Sequence, residues 1–354
     1  MGEVRKHMIR SASPAELIAI SSLKPGQWPS ADQAAWDRAC SKPGRLSKGG
    51  KASHLKLVSR TDVARRYGQF LEHVWRLHGR LDEAVAGNVT QANVETYIAE
   101  LRLRVASVTL HGSIAKLRRA SEILCPTGNY CWLREIENDL AMDMRPTSKF
   151  DRMVDSQAIV SAGLALMHWA DTAACSQLRQ AELYRNGLMI ALLAVCPIRL
   201  KNFASIEIAR NLIPVERSWH IVLQAAETKE GRPDERPLPS LLTPFIDRYL
   251  QHYRSVFGHQ GSALWVGRYH NAMTADAVAR ILTETTRQLL GKPISPHLFR
   301  SCAASTAYFY CGEQPHLASA LLNHHGPKTT EGHYNRARSA AFGLRYADLI
   351  EAIK

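Results

Sequence analysis

The sequence predicts a mainly α-helical chain with one small antiparallel β-sheet, organised as two domains. Three observations carry that expectation. From residue 61 onward apolar residues recur at helical spacing in one segment after another. A single window, 205–238, changes rhythm: Trp219, Ile221 and Leu223 alternate with His220 and Val222 as in a strand. At 354 residues the chain also exceeds what one small core needs, and the polar, Pro-bearing stretch 145–152 offers a linker between two compact units.

Composition bounds the function class. Hydrophobic residues at 45% and charged residues at 22% are the balance of a soluble globular protein. Lys and Arg number 45 against 32 Asp and Glu, a net charge of +13 that suits a polyanionic partner, nucleic acid foremost, although ribosomal and anionic-membrane surfaces select the same excess. The first 22 residues mix charges with short apolar stretches, unlike a signal peptide, and the longest apolar run, 187–198, is too short to span a bilayer. The expectation is a cytoplasmic protein with no membrane partner. Seven cysteines without a CxxC pair fit neither a disulfide framework nor a zinc ribbon, which leaves reduced, mostly buried thiols.

Residues 1–53 read as an extended lead-in, because Pro25, Gly26, Pro29, Pro43, Gly44, Gly49 and Gly50 punctuate them, with one short helix over 32–39. A helical domain follows over 54–146. Val63, Tyr67, Phe70, Leu71, Val74 and Leu77 mark a first helix that Gly79 stops. Val94, Tyr97, Ile98 and Leu101 mark a second from Thr90; a third runs over 109–124 before Pro126, and a fourth over 132–144 before Pro146. Arg65, Arg66, Arg80, Arg102, Arg104, Lys116, Arg118 and Arg119 give this domain a basic surface, which suits DNA and equally describes a solvated face.

The second domain, 153–338, opens with apolar helices over 156–172 and 177–195. Residues 205–209 and 218–224 read as strands, and Arg236-Pro-Leu-Pro as an edge strand, since its prolines exclude a central position. Helices are then expected over 244–257, 275–290, 296–310 and 315–323. A last helix, 339–354, carries Phe342, Tyr346, Leu349, Ile350 and Ile353 on one apolar stripe.

Several residues of the second domain carry chemistry. His297-Leu-Phe-Arg300 opens a predicted helix after Ser295 and Pro296, so the imidazole and guanidinium, three residues apart, share a face and point at one target. A phosphate fits that target, because Arg offers a planar pair of donors and the helix N-terminus adds positive potential. Arg199 ends the apolar helix about a hundred residues earlier, Lys229 lies in the Gly- and Pro-bearing turn of residues 227–233, and Tyr334 follows the histidine-rich segment 321–333. Singly each has a plainer reading: Arg199 as a helix C-terminal cation, Lys229 as a solvated turn residue, Tyr334 as a packed aromatic. His316, His324, His325 and His333 have no standard zinc spacing.

Taken together, in this order and in a basic chain, these residues resemble the tyrosine recombinases, a family that includes phage integrases and Xer-type chromosome-dimer resolvases. The resemblance covers roughly residues 60–334, and its specific part lies between Arg199 and Tyr334. It implies a helical, SAM-like core-binding domain followed by a catalytic domain, with Arg199, His297, Arg300 and His324 around the scissile phosphate. It further implies Lys229 as a lysine carried on a β-hairpin and Tyr334 as the nucleophile. The chain departs from the family pattern at Leu322-Asn323-His324, where a glycine is usual before the histidine, and at Asn202, where many members carry an acid. Tyr334 lies nine residues after His325 and ten after His324, and alignment on Thr329-Thr330 favours His324.

The function so implied is site-specific cutting and rejoining of double-stranded DNA through a 3′-phosphotyrosyl intermediate, in the integration or excision of a mobile element of bacterial or phage origin. No metal or other cofactor is implied. The implied partners are duplex DNA, further copies of the chain in a tetrameric synapse, and accessory DNA-bending or directionality factors, with the 339–354 helix exchanged between protomers. A catalytically silent DNA-binding protein of the same fold and a type IB topoisomerase-like enzyme remain as alternatives.

Overall fold

The computed structural model describes residues 21–45, 49–146, 149–229 and 231–310, and of residues 150 and 308–310 the backbone alone. The chain divides into two compact units, Met1–Thr147 and Ser148–Lys354.

In the first unit the described helices are α1 (Ser30–Cys40), α2 (Leu57–His78), α3 (Gln91–Arg104), α4 (Ser107–Leu124) and α5 (Cys131–Met142). The apolar spacing of α2 buries Val63, Tyr67, Phe70, Leu71 and Val74, and the helix ends at Gly79, whose left-handed φ of 69° lets its N–H bond the Trp75 carbonyl at 2.8 Å. Thr90 caps α3 by accepting from the Asn93 N–H at 3.3 Å. Residues 25–40, expected in an extended lead-in, build part of this core: Trp28 and Trp36 are buried, and Trp28 packs edge-on against both Trp36 and Tyr67. Asp32 anchors the arrangement, accepting 2.6 Å bonds from the Tyr67 hydroxyl and the Ala86 N–H while fully buried. The glycines and prolines mask this contribution, because the punctuation they imply says nothing of the tryptophans between them.

The second unit carries α6 (Ser156–Thr172), α7 (Gln177–Val195) and α8 (Leu200–Ala204), then a sheet, then α9 (Thr243–Arg248), α10 (Ala275–Leu290) and α11 (Pro296–Tyr310). From Gly187 to Ala194 α7 is buried all round, as its unbroken apolar run requires. It crosses α6 where two glycines face each other: a Cβ on Gly187 would lie 2.7 Å from the Gly163 carbonyl oxygen, and one on Gly163 would lie 2.8 Å from that of Gly187.

The sheet is antiparallel in the order β1 (Leu212–Val215), β2 (Ser218–Leu223), β3 (Asp234–Pro237), with Ile221 opposite both Leu212 and Arg236. Among the described strands β3 pairs with β2 alone, an edge position that suits Pro237. Residues 205–209, expected as a strand, make only single bridges, Glu207 to Ala263 and Ile208 to Leu212. Ala209 adopts a φ of 64°, and the Asn211 side chain bonds the Glu207 N–H and the Val222 carbonyl, so the chain turns there and the strand begins later. The expected helix over 244–257 is α9 continued by a π-helical turn, Tyr249–Tyr253, and a 3-10 turn, Ser255–Phe257. The expected helices over 315–323 and 339–354 lie outside the described residues. Among the described cysteines, Cys196 and Cys302 are buried, whereas Cys131 and Cys175 are exposed. No described helix is long and apolar enough to cross a membrane.

The glycine crossing is testable against an open glycine. Gly187→Ala forces backbone apart and is expected to destabilise the protein by about 1–3 kcal/mol, whereas Gly112→Ala in α4, which meets nothing within 4 Å, is expected to stabilise it by up to about 1 kcal/mol. Equal shifts of the two melting temperatures contradict the close-approach account.

Candidate active site

The site is built where α7 ends. The Cys196 N–H closes the helix on the Leu192 carbonyl at 2.9 Å, Pro197 breaks the run, and Arg199 stands in extended conformation as the residue preceding α8. Arg300 arrives from α11, one turn inside a helix that starts at Pro296. Its guanidinium donates to the Pro197 carbonyl in a buried hydrogen bond, and the residue is 8% exposed. Two arginines about a hundred positions apart in the chain thereby reach one place. Burial, with Arg199 and Arg236 close by, pushes the Arg300 guanidinium down to about 10, which still leaves it charged at neutral pH.

His297 lies one turn before Arg300 and is solvent-exposed. Crowding by protein, together with the Lys149 and Arg300 charges, holds its imidazole below the ordinary histidine value. At neutral pH it is therefore the neutral ring, with one nitrogen donating and one accepting. Lys229 is exposed on the turn between β2 and β3. That turn is shaped by buried Thr228, whose hydroxyl donates to the Arg232 carbonyl at 2.7 Å and accepts from the Arg232 N–H at 3.0 Å, with Gly231 at a φ of 68°. His324 and Tyr334, like His325 and His333, lie outside the described residues.

The sequence reading did not single out three contributors. Arg236, on β3, is gripped by the Asp234 carboxylate through two bonds of 2.9 and 2.8 Å, with both side chains largely buried. Its guanidinium also hydrogen-bonds the Cys196 thiol, which burial pushes up to about 12. Lys149 adds a further cation facing His297. Asn202, buried in α8, supplies no charge, so the carboxylate that faces this group of arginines comes from Asp234 on the neighbouring sheet. One signal was available: in a strand, Asp234 and Arg236 share a face.

Lys149 and Arg300 thus bear on His297, and Arg199 and Arg236 on Arg300, with the Asp234 carboxylate beside them as a counter-charge. Packing cations this way is unfavourable in the empty protein and favourable once an anion enters. Tetrahedral phosphate, with several oxygens to bond, matches guanidinium donors converging from two helices. A histidine-resolved NMR titration is expected to place the His297 midpoint below 6.5. Lys149→Gln removes a repelling cation, favours the protonated ring and moves the midpoint upward; a midpoint that stays put removes Lys149 from the site.

No protein-family profile matches the chain, and no curated protein matches it. Among solved structures the chain is similar to the XerH site-specific recombinase bound to a palindromic difH substrate in a post-cleavage complex. The TM-score is 0.61 at 13% identity, covering 91% of this chain and 95% of that one. It is similar also to XerH bound to difH in a pre-cleavage complex, with a TM-score of 0.55 at 14% identity over 82% and 81% of the two chains. With its helical architecture and one small antiparallel sheet, this chain has the tyrosine recombinase fold.

Proposed function

We propose that the protein is a site-specific recombinase that cuts and rejoins duplex DNA through a covalent bond to Tyr334, serving the integration or excision of a mobile element. The observation that carries this reading is the meeting of Arg199 and Arg300 with His297 at the end of α7, a phosphate-shaped cationic site in a fold whose solved representatives include recombinases bound to DNA.

The chemistry follows from the charges. A phosphodiester repels nucleophiles, and the five-coordinate transition state puts more charge on its non-bridging oxygens than the ground state does. Arg199 and Arg300 therefore stabilise the transition state preferentially. The Tyr334 hydroxyl attacks phosphorus as its proton leaves to a neighbouring base, and the bond to the 5′-oxygen breaks. Lys229, carried on its hairpin turn, protonates that oxygen, so the products are a 3′-phosphotyrosyl bond and a free 5′-hydroxyl. His297 and His324 donate hydrogen bonds to the phosphoryl oxygens. The covalent bond retains the energy of the broken ester, so a 5′-hydroxyl from another strand reverses the step and completes exchange. Two strands must be cut in each of two duplexes, which calls for four copies of the chain on DNA.

Trapping on a nicked duplex, from which the 5′-hydroxyl diffuses away, tests the nucleophile. Tyr334→Phe is expected to bind DNA and form no protease-sensitive adduct, and Arg300→Ala to lower the rate by about 10²- to 10³-fold; an adduct with the Phe variant excludes Tyr334. Lys229 has its own assay. Lys229→Ala is expected to cleave slowly on ordinary DNA and at near-normal rate when sulfur replaces the bridging 5′-oxygen, because a thiolate leaves without a proton; absence of rescue assigns the proton to another group.

A further inference from the structure

At the far end of α7 from Arg199 lies a second cationic site. A cavity of about 550 Å³ is walled by the first turns of α7, the loop 267–274 and the first turns of α10. Given 1.5 Å of rise per residue, Glu182 and Arg199 stand roughly 20–25 Å apart along this helix direction, so the cavity is separate from the site described above. Four arginines line it, Arg179, Arg185, Arg268 and Arg280, against the single carboxylate of Glu182.

The cavity has a fixed floor and a presenting rim. Arg185 is 3% exposed, hydrogen-bonded to the Val266 carbonyl at 2.7 Å and seated over the Phe257 ring. Glu182, also buried, accepts 2.9 and 2.8 Å bonds from Arg268 and a longer one, 3.4 Å, from Arg179. The half-exposed Arg179 and Arg268 guanidiniums are thereby oriented at the mouth instead of sweeping through solvent. Arg280 is exposed on the opposite wall, and among the described residues it makes no ion pair with a carboxylate.

The loop between them presents an aromatic ring. Tyr269 is 80% exposed, an unusual place for a large ring on an otherwise well-packed unit. Its backbone is not slack: the Gly267 N–H bonds the Asn271 carbonyl at 2.9 Å, and Val266 bridges to Ala272. His270 holds a φ of 63°, which a non-glycine residue keeps only when its surroundings enforce it. Here its ring bonds the Phe257 carbonyl at 2.6 Å and its carbonyl bonds the His259 ring at 2.8 Å. These bonds hold the loop that carries Tyr269 at the cavity rim.

We infer that this cavity binds a nucleotide, its phosphate among Arg179, Arg268 and Arg280 and its base stacked on Tyr269. Guanidiniums recognise phosphate oxygens in pairs, a tyrosine face stacks on any base, and the volume lies in the range of small-molecule sites. The nucleotide comes either free or as one unit of a single strand, and the two sources share this chemistry. The inference does not depend on cleavage by Tyr334.

The test uses the full chain, titrated with dAMP and with inorganic phosphate. Arg280→Gln is expected to weaken both by roughly tenfold, the value of one charge-assisted phosphate contact. Tyr269→Ala is expected to weaken dAMP by roughly tenfold, to leave inorganic phosphate unchanged, and to be restored by Tyr269→Phe. Irradiation with a single-stranded hexamer carrying 5-iodouracil separates the sources: crosslinking at Tyr269 that dAMP competes away assigns a strand, and dAMP binding without that crosslink assigns a free nucleotide. Undetectable dAMP binding, or dAMP affinity indifferent to Arg280→Gln and Tyr269→Ala, overturns the proposal.

Discussion

The second unit depends on one close approach, the crossing of α6 and α7 at Gly163 and Gly187. Neither position has room for a Cβ, so the two backbones lie nearer than side chains normally permit, and the apolar run of α7 disappears into the interior. A helix buried on every side has no freedom to slide or roll. Whatever follows its last turn is placed as accurately as the core itself. That is where Arg199 stands, and the Arg300 guanidinium ties α11 to the same turn through the Pro197 carbonyl. Placement of these two arginines is thus inherited from apolar packing, at no cost in flexible polar scaffolding.

Charge is deployed differently in the two units. In the first, much of the basic surface is paired with carboxylates: Arg65 and Lys116 share Asp62, Arg76 and Arg104 meet Glu100, and Arg118 joins Glu122 to Glu137. Arg80, Arg102 and Arg119 remain exposed. In the second unit the arginines at the end of α7 crowd one another beside Asp234, and burial first, with this repulsion second, lowers the Arg300 guanidinium. Cations that neutralise each other's partners hold a fold together. Cations that repel one another lower the energy of an incoming anion, because binding relieves both the repulsion and the desolvation already incurred.

Legibility followed the range of the signal. Helices with strong apolar spacing and local stop signals, such as α2 with Gly79 and α7 with Pro197, were readable because their causes lie within a few residues. The strand expected at 205–209 failed because Asn211 and the left-handed Ala209 redirect the backbone, and alternation alone carries no information on side-chain bonds to the main chain. The core role of residues 25–40 was hidden for a related reason: Asp32 is an interior ligand of Tyr67 and Ala86, whereas an Asp in sequence reads as surface. The approach of Arg199, His297 and Arg300 to one place was anticipated from their order and spacing. Arg236 and Lys149 were not, since each matters only through neighbours distant in sequence.

The position of Asp234 shows why such residues escape a motif. A carboxylate beside crowded arginines offsets their repulsion best where it leaves their outward-facing hydrogens free. Asn202, one helical turn from Arg199, is close enough but carries no charge. Asp234 sits on another element, where each of its oxygens accepts a bond from Arg236 and its charge also bears on Arg300. Arg236 in turn grips the Cys196 sulfur, three residues before Arg199. The sheet edge therefore does two things for the end of α7. It supplies a negative charge beside Arg236 and Arg300, and it braces the segment that delivers Arg199. Both depend on β3 keeping its register with β2, where Arg236 stands opposite Ile221, itself fully buried in the core around α7. A one-residue slip would turn Arg236 to the other face, and the electrostatics of the site are to that extent a consequence of strand register.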